Sequence, residues 1–317
     1  MKHRILLDTD MGSDVDDALC LALALAMPDI ELAAVTTVSA DTRHRAKIAK
    51  KILELAGRED VPVYAGVVRP STAGSKFAWT GEEGEGILRP EDRPRVEEEP
   101  ATDAIARLLR SEDDLEIVAV GPMTNVAAVL EKDPSLASRI EKLTIMGGHV
   151  RGIRYHDFVF QPGVDYNLCS DPEASLRVLR TDVPTRLVTG DVTLQVWLRP
   201  EDLARLEASR KPIHKALARS IRMWTPTQRR IFGSLGATIG EENVAFLHDP
   251  LALACVSDES FCTFEDLAIE PAMADGTFRT FERPSGASGA RTMHTATAVD
   301  AARFRDFWVE RVLQLPG

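Results

Sequence analysis

Short apolar runs alternate with longer amphipathic stretches along most of this chain. Runs rich in Val, Ile and Leu that are bounded by turn residues predict strands, and apolar residues spaced three or four apart predict helices. The predicted strands are residues 4–7, 32–38, 61–64, 115–120, 143–146 and 185–188. The predicted helices are residues 17–27, 43–55, 123–130, 171–179, 200–231, a helix opening at 249, and 301–313.

This alternation predicts an α/β fold, a mostly parallel sheet flanked by helices. Shorter strand candidates near Leu267 and Thr295 predict a small antiparallel extension close to the C-terminus. Residues 74–99 and 151–166 show no periodicity and are predicted to be loops. No low-complexity linker or internal repeat divides the chain, so we expect a single domain over residues 1–317.

Charge and cysteine usage narrow the class of protein. The formal net charge of −11 argues against a nucleic-acid partner, because such binding needs a clustered basic surface. The longest apolar run, residues 18–27, is too short to span a membrane. The four cysteines have no paired metal-ligand spacing, so we expect reduced thiols in a cytoplasmic protein.

Five carboxylates crowd the turn that follows the first strand. They are Asp8, Asp10, Asp14, Asp16 and Asp17. Such groups repel one another unless a cation or protons offset their charge. One or two of them would serve as helix caps, but the whole set favours a metal site. Oxygen ligands suit calcium or magnesium, and an EF-hand is excluded because its twelfth position would be Leu19 rather than glutamate.

Two further motifs would be ordinary alone, but beside the acidic cluster they are candidates for the same functional site. Residues 121–125 follow a strand and open a helix, where a backbone carbonyl is able to reach a metal. His248 and Asp249 place a titratable ring beside a carboxylate at a helix start. The residues alone leave two enzymes open, a haloacid-dehalogenase-type phosphatase that uses an Asp-x-Asp pair and a nucleoside hydrolase that holds calcium and ribose.

Taken in order, the motifs resemble those of the nucleoside hydrolase family, of the inosine–uridine-preferring and related types. Its members open with a strand, Asp-x-Asp-x-Gly and an Asp-Asp-Ala helix start. They continue with Gly-Pro-Leu-Thr-Asn, Met-Gly-Gly, Glu-Phe-Asn before Asp-Pro-Glu-Ala, and His-Asp-Pro. The matching segments here are residues 8–18, 121–125, 146–148, 165–167 with 171–174, and 248–250.

The resemblance implies calcium-dependent hydrolysis of the N-glycosidic bond of a ribonucleoside, giving ribose and free base, in purine or pyrimidine salvage. It also implies a homodimer or homotetramer. The implied Ca²⁺ ligands are Asp10, Asp17, Asp249 and the backbone carbonyl of Thr124. The implied catalytic pair is Asp10, as general base, and His248, as the acid for the leaving base. The implied ribose-binding residues are Asp16, Asp165 and Asn167.

The chain departs from the family pattern on the substrate side. Ser13 and Asp14 form an insertion, Ala40-Asp41 replaces Gly-Asn, Asp165 replaces glutamate, Val159 stands near a usual asparagine, and residues 79–84 lack a usual histidine. These changes leave the implied metal set intact but leave the base, and the roles of Asp14 and Asp41, unassigned. A non-catalytic ribonucleoside-binding protein on the same fold is a further alternative.

Overall fold

A computed structural model describes residues 2–12, 14–75, 79–155 and 158–316. Over these ranges, a nine-stranded sheet forms the centre of the protein, in the order β12-β11-β13-β8-β5-β4-β1-β2-β3. Its strands are β1 (His3–Thr9), β2 (Ile30–Thr37), β3 (Val63–Ala65), β4 (Leu115–Ala119), β5 (Leu143–Met146), β8 (Thr185–Val188), β11 (Cys262–Ala274), β12 (Thr277–Arg283) and β13 (Arg291–Val299). Two small pairs are β6 (Ile153–Tyr155) with β7 (Phe158–Phe160), and β9 (Trp197–Leu198) with β10 (Ala245–Phe246).

Helices cover the sheet. They are α1 (Asp16–Ala26), α2 (Thr42–Leu55), α3 (Ala101–Ser111), α4 (Thr124–Lys132), α5 (Tyr166–Ser170), α6 (Pro172–Leu179), α7 (Gly190–Thr193), α8 (Pro200–Ala208), α9 (Pro212–Ser234), α10 (His248–Ala254) and α11 (Ala301–Leu313). None of the helices in the described ranges combines the length and apolar character that a membrane crossing requires.

Strand β1 shows why the sheet lies in the interior. Ile5 and Leu7 belong to one large apolar cluster, and Leu6, which points to the other face, belongs to a second. All three side chains are fully buried. A strand buried on both faces is typical of a parallel sheet that carries helices on each side. The predicted fold class is therefore confirmed, and the antiparallel extension is formed by β11 and β12 beside β13.

Several elements differ from the sequence expectations. Helix α3 was not predicted, although Ala104, Ile105 and Leu108 are buried at helical spacing, so its signal is present in the sequence. The supposed loop 151–166 contains the antiparallel strands β6 and β7, and β12 completes the sheet edge. These short strands take their structure from pairing partners, which a local pattern does not reveal.

Topology brings the candidate site to one edge of the sheet. Strands β1 and β4 are parallel neighbours, with Asp8 opposite Ala119, so the segments that follow both strands leave at the same edge. Helices α1 and α10 pack against each other, and each begins at this edge with an aspartate in its first turn. Functional groups of parallel α/β sheets gather at such carboxyl ends.

Candidate active site

Three buried aspartates converge where helices α1 and α10 begin. Ligand-capable oxygens of Asp16, Asp17 and Asp249 all lie within 4.8 Å of one another. The side chains come from helix N-termini, where the exposed backbone N–H groups and the helix dipole favour negative charge. The packing of α1 on α10 thus joins carboxylates that are far apart in sequence.

The convergence is electrostatically unfavourable without a counter-charge. Burial raises the pKa of Asp16, Asp17 and Asp249 well above the usual value, and repulsion between the neighbouring carboxylates raises it further. Desolvation and like charge both disfavour the ionised form. At neutral pH this arrangement therefore favours either protons or a bound cation.

Two further aspartates line the same cavity. Burial raises the pKa of Asp10, and the charge of Arg45 opposes that shift. Burial also raises the pKa of Asp14, to about 6. Asp10 is not one of the three convergent groups, but a Cβ on Gly121 would lie only 3.0 Å from its Oδ1. The Asp10 carboxylate thus packs closely against Gly121, the first residue of the predicted motif at residues 121–125.

Asp8, in contrast, belongs to the support beneath the cavity. Its Oδ1 accepts hydrogen bonds from Thr36 Oγ1 at 2.6 Å and from Asn125 Nδ2 at 2.7 Å. Asn125 also donates to the Thr37 carbonyl at 3.1 Å and accepts from the Val67 N–H at 2.9 Å. One buried amide therefore ties together the ends of β1, β2 and the segment after β3.

Arg45 of helix α2 is a site residue that the sequence analysis does not identify. Its guanidinium is 2% exposed and donates to the carbonyls of Asp10, Met11 at 2.9 Å and Ser39 at 2.8 Å. It lines the cavity, and its positive charge partly offsets the rise that burial causes in the pKa of Asp10 and of Asp17. The local sequence pattern does not distinguish Arg45 from its neighbours, because an arginine in a basic amphipathic helix normally lies on the solvated face.

The turn that Arg45 holds is strained. Ser39 and Ala40 have φ values of 79° and 54°, in the left-handed region that side chains disfavour. Asp41 then caps α2 by accepting the His44 N–H at 2.9 Å. This assigns a structural role to Asp41, one of the two aspartates that the sequence left unassigned.

Asp165 and Asn167 lie at the start of α5 and line the same cavity. Burial raises the pKa of Asp165 to about 6, although backbone N–H groups, that of Leu168 foremost, oppose the shift. The Asn167 side chain donates to the carbonyls of Val120 at 2.7 Å and Met146 at 3.1 Å. Those bonds fix the amide nitrogen, so Oδ1 is the side-chain atom left to contact a ligand.

The Thr124 side chain does not line the cavity. Its hydroxyl donates to Asp171 Oδ2 at 2.8 Å, and Asp171 also accepts N–H bonds from Ser71 and Thr72. Thr124 is the first residue of α4, directly behind the loop that contacts Asp10. Its carbonyl as a metal ligand stays a prediction.

His248 lines the cavity as a neutral ring. Burial lowers its pKa to about 4. Its Nδ1 lies 2.7 Å from the Thr193 hydroxyl, and the ring stacks on Phe246 with centroids 4.9 Å apart. If the hydroxyl donates to Nδ1, the ring proton is on Nε2. Glu82 and Glu83, acidic residues of the first loop, do not line this cavity; Glu83 accepts the Thr80 and Gly81 N–H groups.

The cavity measures about 370 Å³ and has two chemically distinct parts. The carboxylates and Arg45 form the polar part. The apolar part is formed mainly by Phe160, Val164, Tyr166, Trp224, Ile231 and Phe232. A small organic ligand with a polar end and a flat apolar end matches this division.

The donor set fits a hard divalent cation. The convergent ligands are all carboxylate oxygens, with no sulfur or imidazole among the three. Oxygen-only sets suit calcium or magnesium, and a bound ion would offset the repulsion that raises these pKa values. Ser13, the other residue of the predicted insertion, lies outside the described residues.

Comparisons with known proteins agree on one family. The family model "Inosine-uridine preferring nucleoside hydrolase" matches residues 5–306. A pyrimidine-specific ribonucleoside hydrolase, RihA of Escherichia coli O1:K1 / APEC, is 33% identical over 270 residues, 82% of each chain. The structure of a purine-preferring ribonucleoside hydrolase from Gardnerella vaginalis has a TM-score of 0.84 at 28% identity and 98% coverage of both chains. A plant nucleoside hydrolase, PpNRh1, shares the fold with a TM-score of 0.85 at 24% identity, covering 99% of this chain and 100% of its own.

Replacing Arg45 with methionine tests whether its buried charge stabilises the acidic turn. We expect Arg45→Met to lower the free energy of unfolding by about 3–5 kcal/mol, as for other buried charges that lose their partner. Arg43→Met is the matched control on the same helix, since Arg43 pairs with Glu98 in solvent and such pairs contribute about 0–1 kcal/mol. Urea unfolding measures both values, and equal losses would contradict the role given to Arg45.

Proposed function

Because this chain belongs to the inosine-uridine preferring nucleoside hydrolase family, we propose that it hydrolyses the N-glycosidic bond of a ribonucleoside to ribose and free base, with Ca²⁺ as its cofactor. The main support for this proposal is the division of the cavity into two parts. Convergent buried carboxylates form one part, suited to an ion and a polyol, and aromatic side chains form the other, suited to a flat base.

We propose that Asp10, Asp17, Asp249 and the Thr124 carbonyl hold the ion. Asp17 and Asp249 belong to the convergent group. The close approach of Asp10 to Gly121 supports its pairing with a ligand from residues 121–125. A calcium ion there would orient the attacking water and the ribose diol and make the water more acidic.

Asp10 acts as the general base in this proposal. Its carboxylate lines the cavity beside the proposed ion, where it is able to accept a proton from a water that the ion would orient. Arg45 holds the Asp10 carbonyl, so the backbone that carries the base is fixed.

Asp16, Asp165 and Asn167 orient the sugar. Asp16 shares the convergent group, next to the proposed ion, and is suited to accept hydrogen bonds from the 2′- and 3′-hydroxyls. Asp165 and Asn167 line the cavity with their orientation fixed by backbone hydrogen bonds. Holding the ribose in one orientation contributes to catalysis by limiting its freedom before attack, and the charges stabilise an oxocarbenium-like transition state.

The alternatives have less support. A haloacid-dehalogenase-type phosphatase is disfavoured because the nucleoside hydrolase family model matches residues 5–306. A non-catalytic ribonucleoside-binding protein would share the cavity and would differ only in releasing no sugar. The names of similar proteins include pyrimidine-specific and purine-preferring enzymes, so the base stays open.

We extend the proposal to a cytoplasmic homodimer or homotetramer that acts in purine or pyrimidine salvage. The four cysteines are free thiols, including Cys255 and Cys262, whose sulfurs are 3.8 Å apart. Unpaired thiols so close together fit a reducing compartment. Light scattering that gave the mass of a single chain would contradict the oligomer.

A riboside panel tests the activity. Ribonucleosides with purine and pyrimidine bases, each with its 2′-deoxy counterpart, are assayed for reducing sugar with calcium and with a chelator. We expect release from ribonucleosides only, because the proposed ion and Asp16 both need the diol, and we expect loss of activity on chelation with recovery on added calcium.

Two results of this panel, and two results of separate binding and phosphatase assays, would contradict the proposal. Equal rates for ribo and 2′-deoxy substrates would overturn the diol site, and full activity in chelator would overturn the cofactor. Tight nucleoside binding without sugar release would favour the binding protein, and release of phosphate from an aryl phosphate in magnesium would favour the phosphatase.

A leaving-group comparison tests His248. The sequence resemblance implies an acid at His248, but burial lowers the pKa of the ring to about 4. We propose that the neutral ring instead donates a hydrogen bond from Nε2–H to the departing base, with Thr193 fixing the tautomer. A p-nitrophenyl riboside departs as a stable phenolate and needs no acid. His248→Ala should slow natural ribonucleosides by about 10²–10³-fold, the usual effect of losing one hydrogen-bond donor to developing negative charge, and leave the activated riboside nearly unchanged.

His214→Ala is the matched control. His214 is also fully buried, but its ring nitrogens are paired with Ser209 and Val312, far from the cavity. This variant should alter stability without changing the ratio of the two rates. Equal slowing of both substrates by His248→Ala would show that the histidine supports the site rather than the leaving group.

A further inference from the structure

Two of the four cysteines are in contact at the end of helix α10. The Sγ atoms of Cys255 and Cys262 are 3.8 Å apart, and the proposed mechanism uses neither thiol. The other two cysteines have different surroundings. Cys20 is buried within α1, and the Cys169 thiol donates to the Phe278 carbonyl at 3.3 Å. Cys255 and Cys262 therefore form a thiol pair that a two-electron oxidation is able to close.

This thiol pair lies between the candidate site and the central sheet. Cys255 directly follows α10 and continues it, since its N–H donates to the Leu251 carbonyl at 3.2 Å. The same short helix begins with His248 and Asp249. Cys262 is the first residue of β11, which pairs with β13 from this residue onward. The pair therefore connects the helix that carries a proposed calcium ligand to the antiparallel part of the sheet.

The two thiols differ in their access to solvent. Cys262 is partly exposed, whereas Cys255 is fully buried and donates its S–H to the Cys262 sulfur. That hydrogen bond raises the pKa of the Cys255 thiol, and burial raises it further, so Cys255 keeps its proton. An oxidant from solvent therefore meets Cys262 first, and Cys255 is in place to react with the oxidised sulfur.

We propose that Cys255 and Cys262 are a redox-sensitive pair, which hydrogen peroxide joins as a disulfide that displaces α10 and weakens the ion site. The Cys262 sulfur first attacks the peroxide, the O–O bond breaks, and a sulfenic acid and one water form. The Cys255 sulfur then attacks the sulfenic sulfur, and its proton leaves with the hydroxyl as a second water. The two sulfurs together lose two electrons, which reduce the peroxide, and a small thiol reverses the oxidation by exchange.

Closing the disulfide requires one of the two segments to move. A disulfide bond is about 2.05 Å long, so the sulfurs must approach each other by roughly 1.7 Å. Strand β11 has 13 residues and is anchored by pairing with β12 and β13, whereas α10 has 7 residues. The helix is therefore the element that shifts, and Asp249 at its start moves relative to Asp16 and Asp17. Misplacement by about 1 Å is enough to impair a catalytic site strongly.

A reversible pair of this kind is compatible with a reducing compartment. Disulfides of cytosolic proteins are usually transient and act in catalysis or in redox sensing. The thiols stay reduced under ordinary conditions and close when peroxide rises. The effect on the ion rests on the proposed function, in which Asp249 is a calcium ligand, whereas formation of the disulfide and the shift of α10 do not depend on it.

Peroxide treatment of the purified full chain tests the pair. The wild type, Cys262→Ser, Cys255→Ala and Cys169→Ser are oxidised and then mapped as peptides without reductant. The wild type should give a crosslink between residues 255 and 262, lighter than the reduced peptides by two hydrogen atoms and removed by dithiothreitol. Cys169→Ser is the matched control, because Cys169 is a partly exposed thiol outside the pair, and it should give the same crosslink. Absence of the crosslink from the wild type would overturn the proposal.

Two further measurements on the same samples connect the crosslink to the site. Backbone hydrogen exchange over residues 248–255 should become faster in the oxidised wild type, because a shifted α10 loses part of its packing. Calcium affinity, measured by titration calorimetry, should fall by about 10- to 100-fold, the usual effect of disturbing groups that orient metal ligands. Cys169→Ser should respond in the same way, whereas peroxide should change neither quantity in Cys262→Ser or Cys255→Ala.

The three readouts separate this inference from the proposed function. If the reduced wild type bound no calcium, the proposed cofactor would be wrong, and the crosslink and the exchange of α10 would still decide the fate of the thiol pair. A crosslink that left the exchange of α10 unchanged would overturn its displacement. Equal loss of calcium affinity on oxidation of the wild type and of Cys262→Ser would show that another group is oxidised, and it would overturn the role of the pair.

Discussion

The constraint on which the site depends is the mutual repulsion of buried carboxylates. Asp16, Asp17 and Asp249 come within 4.8 Å of one another in the interior, and burial together with like charge raises their pKa. A fold that kept this arrangement only for stability would be better served by apolar residues at these positions. The cluster is therefore best explained by a cation, and a cation next to an aromatic cavity gives a sugar-and-base ligand two complementary surfaces.

The rest of the architecture limits the same repulsion. Helices α1 and α10 direct their N-terminal ends at the carboxylates, which favours negative charge there. Arg45 contributes a buried positive charge while holding the carbonyls of the acidic turn and of the strained Ser39. Below them, Asn125 joins Asp8 to the neighbouring strand ends, so the turn rests on a connected polar network.

Local patterns predicted the sheet, most helices and the acidic cluster, because apolar spacing and an unusual density of aspartates are visible within a few residues. Arg45 was not predicted. It reaches the site only through a partner remote in sequence, the Asp10 carbonyl. The grouping of the aspartates also depends on tertiary packing, which local patterns do not reveal. The structure brings Asp16 rather than Asp10 into the closest group.

The position of the ion tests this account most directly. A crystal structure grown with calcium, with anomalous scattering measured to identify the ion, would give its ligands. The account predicts one ion about 2.3–2.6 Å from carboxylate oxygens of Asp10, Asp17 and Asp249, the usual calcium–oxygen distance. An ion bonded to Asp16 in place of Asp10 would contradict the ligand set, and a cluster that stayed without any ion at saturating calcium would contradict the central claim.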